Sequence, residues 1–227
     1  MKSKFLISFF LIIFLYQNIV NAEEFKIESS EIKILEKGNI LKATNGVKII
    51  SNDGVEISGR ELVYNKEKLI LKVSGNVVLD DKKNRIITQG DEYIYFRKEE
   101  KIKIFGNVIL NDKKNNIITE GEEYIYLRDK KKILSIGKTK SNIKNIYYLE
   151  SSDLIYEKNL LEVYSNKKTK IEDSRNNIFF TDKFKLNFGT NLLKAKNLSL
   201  FDNKKNKYYL NFFLVNLKDN KFLGSDI

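Results

Sequence analysis

Residues 75–105 read GNVVLDDKKNRIITQGDEYIYFRKEEKIKIF, and residues 106–136 read GNVILNDKKNNIITEGEEYIYLRDKKKILSI. The second block follows the first without a gap, a step of 31 residues, and more than half of the aligned positions are identical. In both, short runs of Val, Ile, Tyr and Phe alternate with Lys, Asn, Asp and Gly. That is strand periodicity punctuated by turn residues, and no amphipathic helix of useful length is readable beyond Glu23. Asp81-Lys82-Lys83-Asn84 and Asp112-Lys113-Lys114-Asn115 are polar hairpin tips, as are Asn52-Asp53-Gly54 and Asp202–Asn206. Asp and Asn favour such tips because their side chains bond to nearby backbone. A calcium loop needs a longer series of oxygen ligands than these tips supply.

Fainter copies extend the pattern. In ITQGDEYIY a small residue is followed three and five positions later by large apolar ones. Gly90 leads to Tyr93 and Tyr95, and Gly121 to Tyr124 and Tyr126. Gly59 leads to Leu62 and Tyr64, Ser151 to Leu154 and Tyr156, Thr181 to Phe184 and Leu186, and Ala195 to Leu198 and Leu200. The residue between the two large ones is Lys185 in one copy and Ser199 in another. Those belong in water, so the flanking pair points inward. The preceding strand carries G-N-V-x-L, placing Val77 with Leu79 and Val108 with Leu110 on the same inner face; Val73 and Ile104 continue that column upstream.

A two-strand unit of this length cannot bury its own apolar face and must stack on its neighbours. The expected fold is all-β: an elongated, twisted antiparallel structure with an apolar interior. A sandwich, a jelly roll and a solenoid all satisfy the pattern at this level.

Composition narrows the chemistry. Among 227 residues there is no Pro, Cys, Trp or His. That removes thiol, disulfide and Ser-His-Asp options, together with the usual zinc and iron–sulfur ligands. Carboxylate pairs and Ser-Lys remain. Ser30-Glu31-Ile32-Lys33 and Ser141-Asn142-Ile143-Lys144 match S-x-x-K, a motif that acts at a helix start, and neither stretch reads as a helix. Asp91-Glu92 and Glu122-Glu123 sit on strands, where adjacent residues diverge rather than converge as an acid/base pair. The chain therefore reads as a non-enzyme with no cofactor, and it contains no phosphate loop.

Net charge is +11, almost all from Lys interleaved with Asp and Glu. This is a solvated face biased toward Lys rather than a clustered patch of Arg forks, and inward aromatics cannot stack on bases, so nucleic acid is not an expected partner. At the N-terminus, Lys2 and Lys4 precede an apolar run from Phe5 to Tyr16 and the small-residue site Val20-Asn21-Ala22. The run is short for a membrane span and reads as a secretory signal peptide over residues 1–22.

The ordered combination of signal peptide, Gly75-Asn76-Val77, Gly106-Asn107-Val108, Gly90-Asp91-Glu92-Tyr93-Ile94-Tyr95 and Gly121-Glu122-Glu123-Tyr124-Ile125-Tyr126 resembles the OstA-like family of lipopolysaccharide-transport proteins. Glu61-Leu62-Val63-Tyr64 is an earlier, degenerate copy, and the resemblance spans roughly residues 40–205. The family includes the periplasmic bridge LptA, the tethered LptC and the N-terminal domain of the outer-membrane translocon LptD. The last is the most similar, because this chain runs on through NKYYLNFFLVNLKDNKFLGSDI.

The resemblance implies a twisted β-jelly roll shaped as an open trough, occupying residues 23–215, with 216–227 beginning a connection to a further C-terminal part. It implies transport of lipopolysaccharide, or a related glycolipid, toward the outer membrane. It also implies a periplasmic, outer-membrane-associated location. Implied partners are other OstA-like proteins joined by edge-strand pairing and an outer-membrane β-barrel, in cis or in trans. On this view Leu62, Tyr64, Val77, Leu79, Tyr93, Tyr95, Val108, Leu110, Tyr124, Tyr126, Leu154, Tyr156, Phe184, Leu186, Leu198 and Leu200 line the groove. Two alternatives stay open: a stand-alone bridge of the LptA type, and an exported structural or adhesin β-repeat with no lipid ligand, whose inner columns are only packed core.

Overall fold

The computed structural model describes residues 25–52, 54–216, 218, 219 and 221–225; the expected signal peptide lies outside them. The strands, in chain order, are β1 (Phe25–Leu35), β2 (Ile40–Ser51), β3 (Val55–Gly59), β4 (Glu61–Asn65), β5 (Ile70–Asp81), β6 (Ile86–Phe96), β7 (Lys101–Asp112), β8 (Ile117–Leu127) and β9 (Lys132–Ile143). They continue as β10 (Tyr147–Ser152), β11 (Ile155–Glu157), β12 (Glu162–Ser165), β13 (Thr169–Asp173), β14 (Ile178–Thr181), β15 (Lys183–Asn187), β16 (Leu192–Phe201), β17 (Lys207–Asn216) and β18 (Lys221–Ser225). Every pairing is antiparallel and the order is a meander, so consecutive β5, β6, β7, β8 and β9 are hydrogen-bonded in turn. β3 with β4, and likewise β10 with β11, β12 with β13 and β14 with β15, act as two halves of one longer strand.

The repeated Gly-Asn is what folds this ribbon. On β5, Ser74 pairs with Glu92 and Val77 with Gly90, so Gly75 and Asn76 together face the single residue Asp91. Gly106 and Asn107 do the same on β7. Two residues against one is a β-bulge, which bends the strand. Both Gly-Asn pairs have positive φ, 86° and 51° at Gly75-Asn76 and 73° and 47° at Gly106-Asn107, the region Gly and Asn tolerate best. With register shifts recurring in the middle of the long strands from β5 to β9, and again between β1 and β2, the sheet folds lengthwise into two walls that share a line of corners along one side. The hairpin tips of both walls form the two lips of the opposite, open side.

The small-acid dipeptide of the repeat explains itself at the same corner. A Cβ on Gly59 would lie 2.6 Å from Val73 Cγ1, and one on Gly90 would lie 2.9 Å from Ile104 Cγ2. A side chain at either position would have to displace the packed column beside it. The acid that follows locks the next corner: Asn107 Nδ2 donates to Asp91 Oδ2 at 3.1 Å, and Asn197 Nδ2 donates to Asp182 Oδ2 at 3.0 Å. Where the small position carries a hydroxyl, that group satisfies the bent backbone instead. Thr181 Oγ1 donates to the carbonyl oxygen of Lys196 at 2.6 Å.

The two walls share one apolar core, containing Val73, Val77, Leu79, Tyr93, Ile104, Val108, Leu110, Phe184 and Leu186. Removing each large side chain from water stabilises the fold by about 1.5–3 kcal/mol. The outward position between each inward pair behaves as expected: Lys185 is exposed and forms an ion pair with Glu162 at 2.7 Å.

Candidate functional site: the mouth of the trough

Strand alternation does not stop at the last apolar residue. On one wall, inward Val77 and Leu79 lead two residues on to Asp81, and Val108 and Leu110 lead to Asp112; both aspartates are buried. On the other wall, Tyr93 and Tyr95 lead to Arg97, Tyr124 and Tyr126 to Arg128, and Leu154 and Tyr156 to Lys158. At the open side the last inward residue is therefore acidic on one wall, at Asp81 and Asp112, and basic on the other, at Arg97, Arg128 and Lys158.

The lips meet in a buried cluster around Asp112. Tyr156 Oη donates to Asp112 Oδ2 at 2.7 Å, Lys158 Nζ donates to the same oxygen at 2.9 Å, and Asn115 Nδ2 donates to it at 2.9 Å. Asn115 Nδ2 also donates to Tyr156 Oη at 2.8 Å. Asp112 is fully enclosed and the Lys158 side chain is 10% exposed. Burial by itself raises the Asp112 carboxyl, but the bonds from Lys158, Tyr156 and Asn115 outweigh it and hold the group below the usual carboxylate range. Burial, followed by the neighbouring Asp112 charge, pushes the Tyr156 hydroxyl well above its ordinary value. Beyond this clamp, Lys144 Nζ reaches the carbonyl oxygen of Phe188 on the opposite lip at 3.1 Å.

On either side the lips part. Toward the N-terminus a narrow cleft of about 30 Å³ is lined by Ile49, Ile57, Leu79, Tyr95, Ile102 and Tyr126, with Asp81 and Arg128 at its lips. Arg128 donates to Tyr95 Oη at 2.8 Å, and one repeat earlier Arg97 donates to Tyr64 Oη at 3.0 Å. Toward the C-terminus a wider bay of about 470 Å³ is lined by Tyr147, Phe179, Leu200, Phe213 and Val215, with Asp173, Arg175 and Lys218 at its rim. Among the described residues no cluster of three or more Asp and Glu forms a metal site.

The structure sorts the sixteen groove candidates. All face the interior, and all but Tyr64, Tyr126 and Leu200 are buried. Leu79, Tyr95 and Tyr126 reach the narrow cleft and Leu200 the wide bay, while Tyr156 belongs to the clamp. Leu62, Val77, Tyr93, Val108, Leu110, Tyr124, Leu154, Phe184, Leu186 and Leu198 pack in the shared core away from both openings. Sequence reading missed Asp112, Asn115, Arg128 and Lys158. The available signal was the same period-two alternation, carried two residues past the apolar column.

Residues 13–124 match the family model described as OstA-like protein. Over those residues the chain is similar to the OstA-like family. That stretch contains the Gly-Asn corners at Gly75-Asn76 and Gly106-Asn107 and the Gly90–Tyr95 strand, and it ends within the second copy at Tyr124. Among solved structures the OstA-like chain is similar to LptH of Pseudomonas aeruginosa, described as the LptA homologous periplasmic component of the conserved lipopolysaccharide transport device. That likeness has a TM-score of 0.41 and 12% identity, and covers 46% of this chain and 76% of that one. A second likeness is to the TCP10 domain of Danio rerio CPAP, with a TM-score of 0.20, 11% identity, and 78% and 97% of the two chains covered. Comparison with curated proteins gives no match.

Proposed function

We propose that this OstA-like chain is an exported, non-enzymatic carrier of lipopolysaccharide or a related acidic glycolipid, working in the periplasm on the way to the outer membrane. The observation that carries this reading is the mouth. An apolar interior opens to solvent through the cleft at Tyr126 and the bay at Leu200, and cationic side chains stand at both rims. Burying acyl chains yields about 0.8 kcal/mol per methylene, so an apolar slot suits the lipid tails. Lys and Arg at a rim suit the phosphates of the head group. The outer edge of β1, which pairs only with β2 among the described residues, supports addition of a strand from another OstA-like protein. The same pairing makes either role reachable, as the N-terminal domain of an LptD-like translocon or as an LptA-like bridge. The translocon reading takes 23–215 as the trough and 216–227 as the way out of it.

The test is in-cell photocrosslinking with a photoreactive residue replacing Tyr126 or Leu200, with exposed Lys113 as the control position. Lipopolysaccharide adducts at the first two and none at the control are expected. A folded, exported chain without adducts at Tyr126 or Leu200 would leave a packed β-repeat and favour the structural reading.

A further inference from the structure

The clamp interrupts the mouth at a definite point. The narrow cleft, the Asp112 cluster, the Lys144–Phe188 contact and the wide bay follow one another along the open side. The residues on either side follow the same alternation and make bonds along their own walls. Asp81 accepts from the backbone and side chain of Asn84 within its own turn, and Arg128 turns back along its own wall to Tyr95. Asp112 also holds its own turn through Asn115, but it alone among the described aspartates carries hydrogen bonds from the opposite lip.

We infer that Asp112, Tyr156 and Lys158 are a gate across the mouth, closed in this structure, whose opening, with release of the neighbouring Lys144–Phe188 contact, joins the cleft and the bay into one continuous slot. This deepens the carrier reading and rests on it, since it names what controls lateral access to that trough. Two physical facts favour a gate over an ordinary strut. The contact joins strand ends whose backbone ladders run along their own wall, so separating the lips there breaks no strand pairing. The tie is also polar and lies at the end of an apolar column, so an amphiphile sliding beneath it would bring its own charged head group to Lys158 in exchange for Asp112. Asp112, Tyr156 and Lys158 are positioning residues in this scheme: they set where a lipid enters and how far it travels, and perform no chemistry.

The experiment places spin labels at Lys113→Cys and Asn159→Cys, one exposed site on each lip beside the clamp, in the purified mature chain, and reads their separation by pulsed electron resonance. Without lipid, a single short separation is expected. Adding purified lipopolysaccharide in excess, with binding scored separately by co-elution, is expected to produce a second, longer population. The pair Asp112→Asn with Lys158→Met, which removes both charges together, is expected to show that longer population without lipid. Tyr156→Phe, a milder change that keeps the ion pair, serves if the double variant does not fold, and is expected to broaden the distribution partially. An unchanged separation in the folded variants overturns the gate. So does an unchanged separation in wild-type protein that has bound lipopolysaccharide. Failure of lipopolysaccharide to bind at all counts against the carrier reading, and the variants then decide the gate alone.

Discussion

Lys158 Nζ lies 2.9 Å from Asp112 Oδ2, and the two residues stand 46 positions apart in the chain. The carboxylate is fully enclosed and the ammonium nearly so. Neither charge is easily re-solvated if its partner disappears, which makes single and paired substitutions differ.

Asp112→Ala strands a buried ammonium and two unsatisfied donors, so it is expected to cost about 3–5 kcal/mol. Changing both partners to uncharged groups of similar size, Asp112→Asn with Lys158→Met, is expected to cost clearly less. Denaturant midpoints of the two variants check this. Equal losses would mean that the pair contributes through packing and not through charge.

The pH response follows from the direction of each shift. The Asp112 carboxyl lies below its ordinary value of 3.8 in the folded chain. Its contribution is therefore fully present above that value and is lost as pH falls through the folded one. Acid unfolding of wild-type protein should steepen below about pH 4, and Asp112→Asn should flatten that limb. At the other end, burial pushes the Tyr124 hydroxyl up to about 12 from an ordinary value of 10.0. Because the unfolded chain ionises first, stability is unaffected by this group below 10.0 and declines as pH rises toward the folded value. Circular dichroism across both ranges, with Tyr124→Phe as the alkaline control, reads out the two effects.

Two tyrosines at equivalent repeat positions should answer differently to loss of their hydroxyls. Tyr93 Oη shares a hydrogen bond with Thr88 Oγ1 in the core. Tyr124 Oη and Thr119 Oγ1 are buried without completing one, although Thr119 and Thr139 lie near. Removing one partner of a made bond costs about 0.5–1.5 kcal/mol or more, whereas removing an unsatisfied group relieves a penalty. Tyr93→Phe is expected to destabilise, and Tyr124→Phe to be neutral or stabilising, by thermal unfolding.

Gly106→Ala tests the corner. Its φ is +73°, and an added Cβ would lie 2.2 Å from Asp91 Oδ2. The left-handed backbone alone costs about 1–2 kcal/mol for a residue with a Cβ, and the displaced Asp91 would also lose its bond from Asn107. A loss of at least that size is expected. Gly54→Ala shares a positive φ but has open space around its Cβ, so it isolates the backbone share of the loss.

Much of this was written in the chain. Alternation placed the Val77–Leu79 and Tyr93–Tyr95 columns inside, because a strand's period of two leaves no other consistent facing once Lys185 and Ser199 are in water. Gly-Asn and Gly-Asp marked the right places, but their meaning as bulge and corner lock needed the register. Gly75 and Asn76 both oppose Asp91, a relation between neighbouring strands.

What the sequence by itself determined is the local grammar: all-β elements, turn positions, inward columns, and the OstA-like pattern they make together. Only the tertiary structure decided which lip residues meet. Asp81 and Asp112 occupy the same place in the repeat, as do Arg128 and Lys158 to within a residue, yet Asp112 bonds to Lys158 across the mouth while Asp81 holds Asn84 in its own turn. Periodicity fixes the face on which a side chain lies, because that depends on the backbone of its own strand. It does not fix how far apart two walls stand at a given rung, which depends on the accumulated bend and twist of all the strands between them.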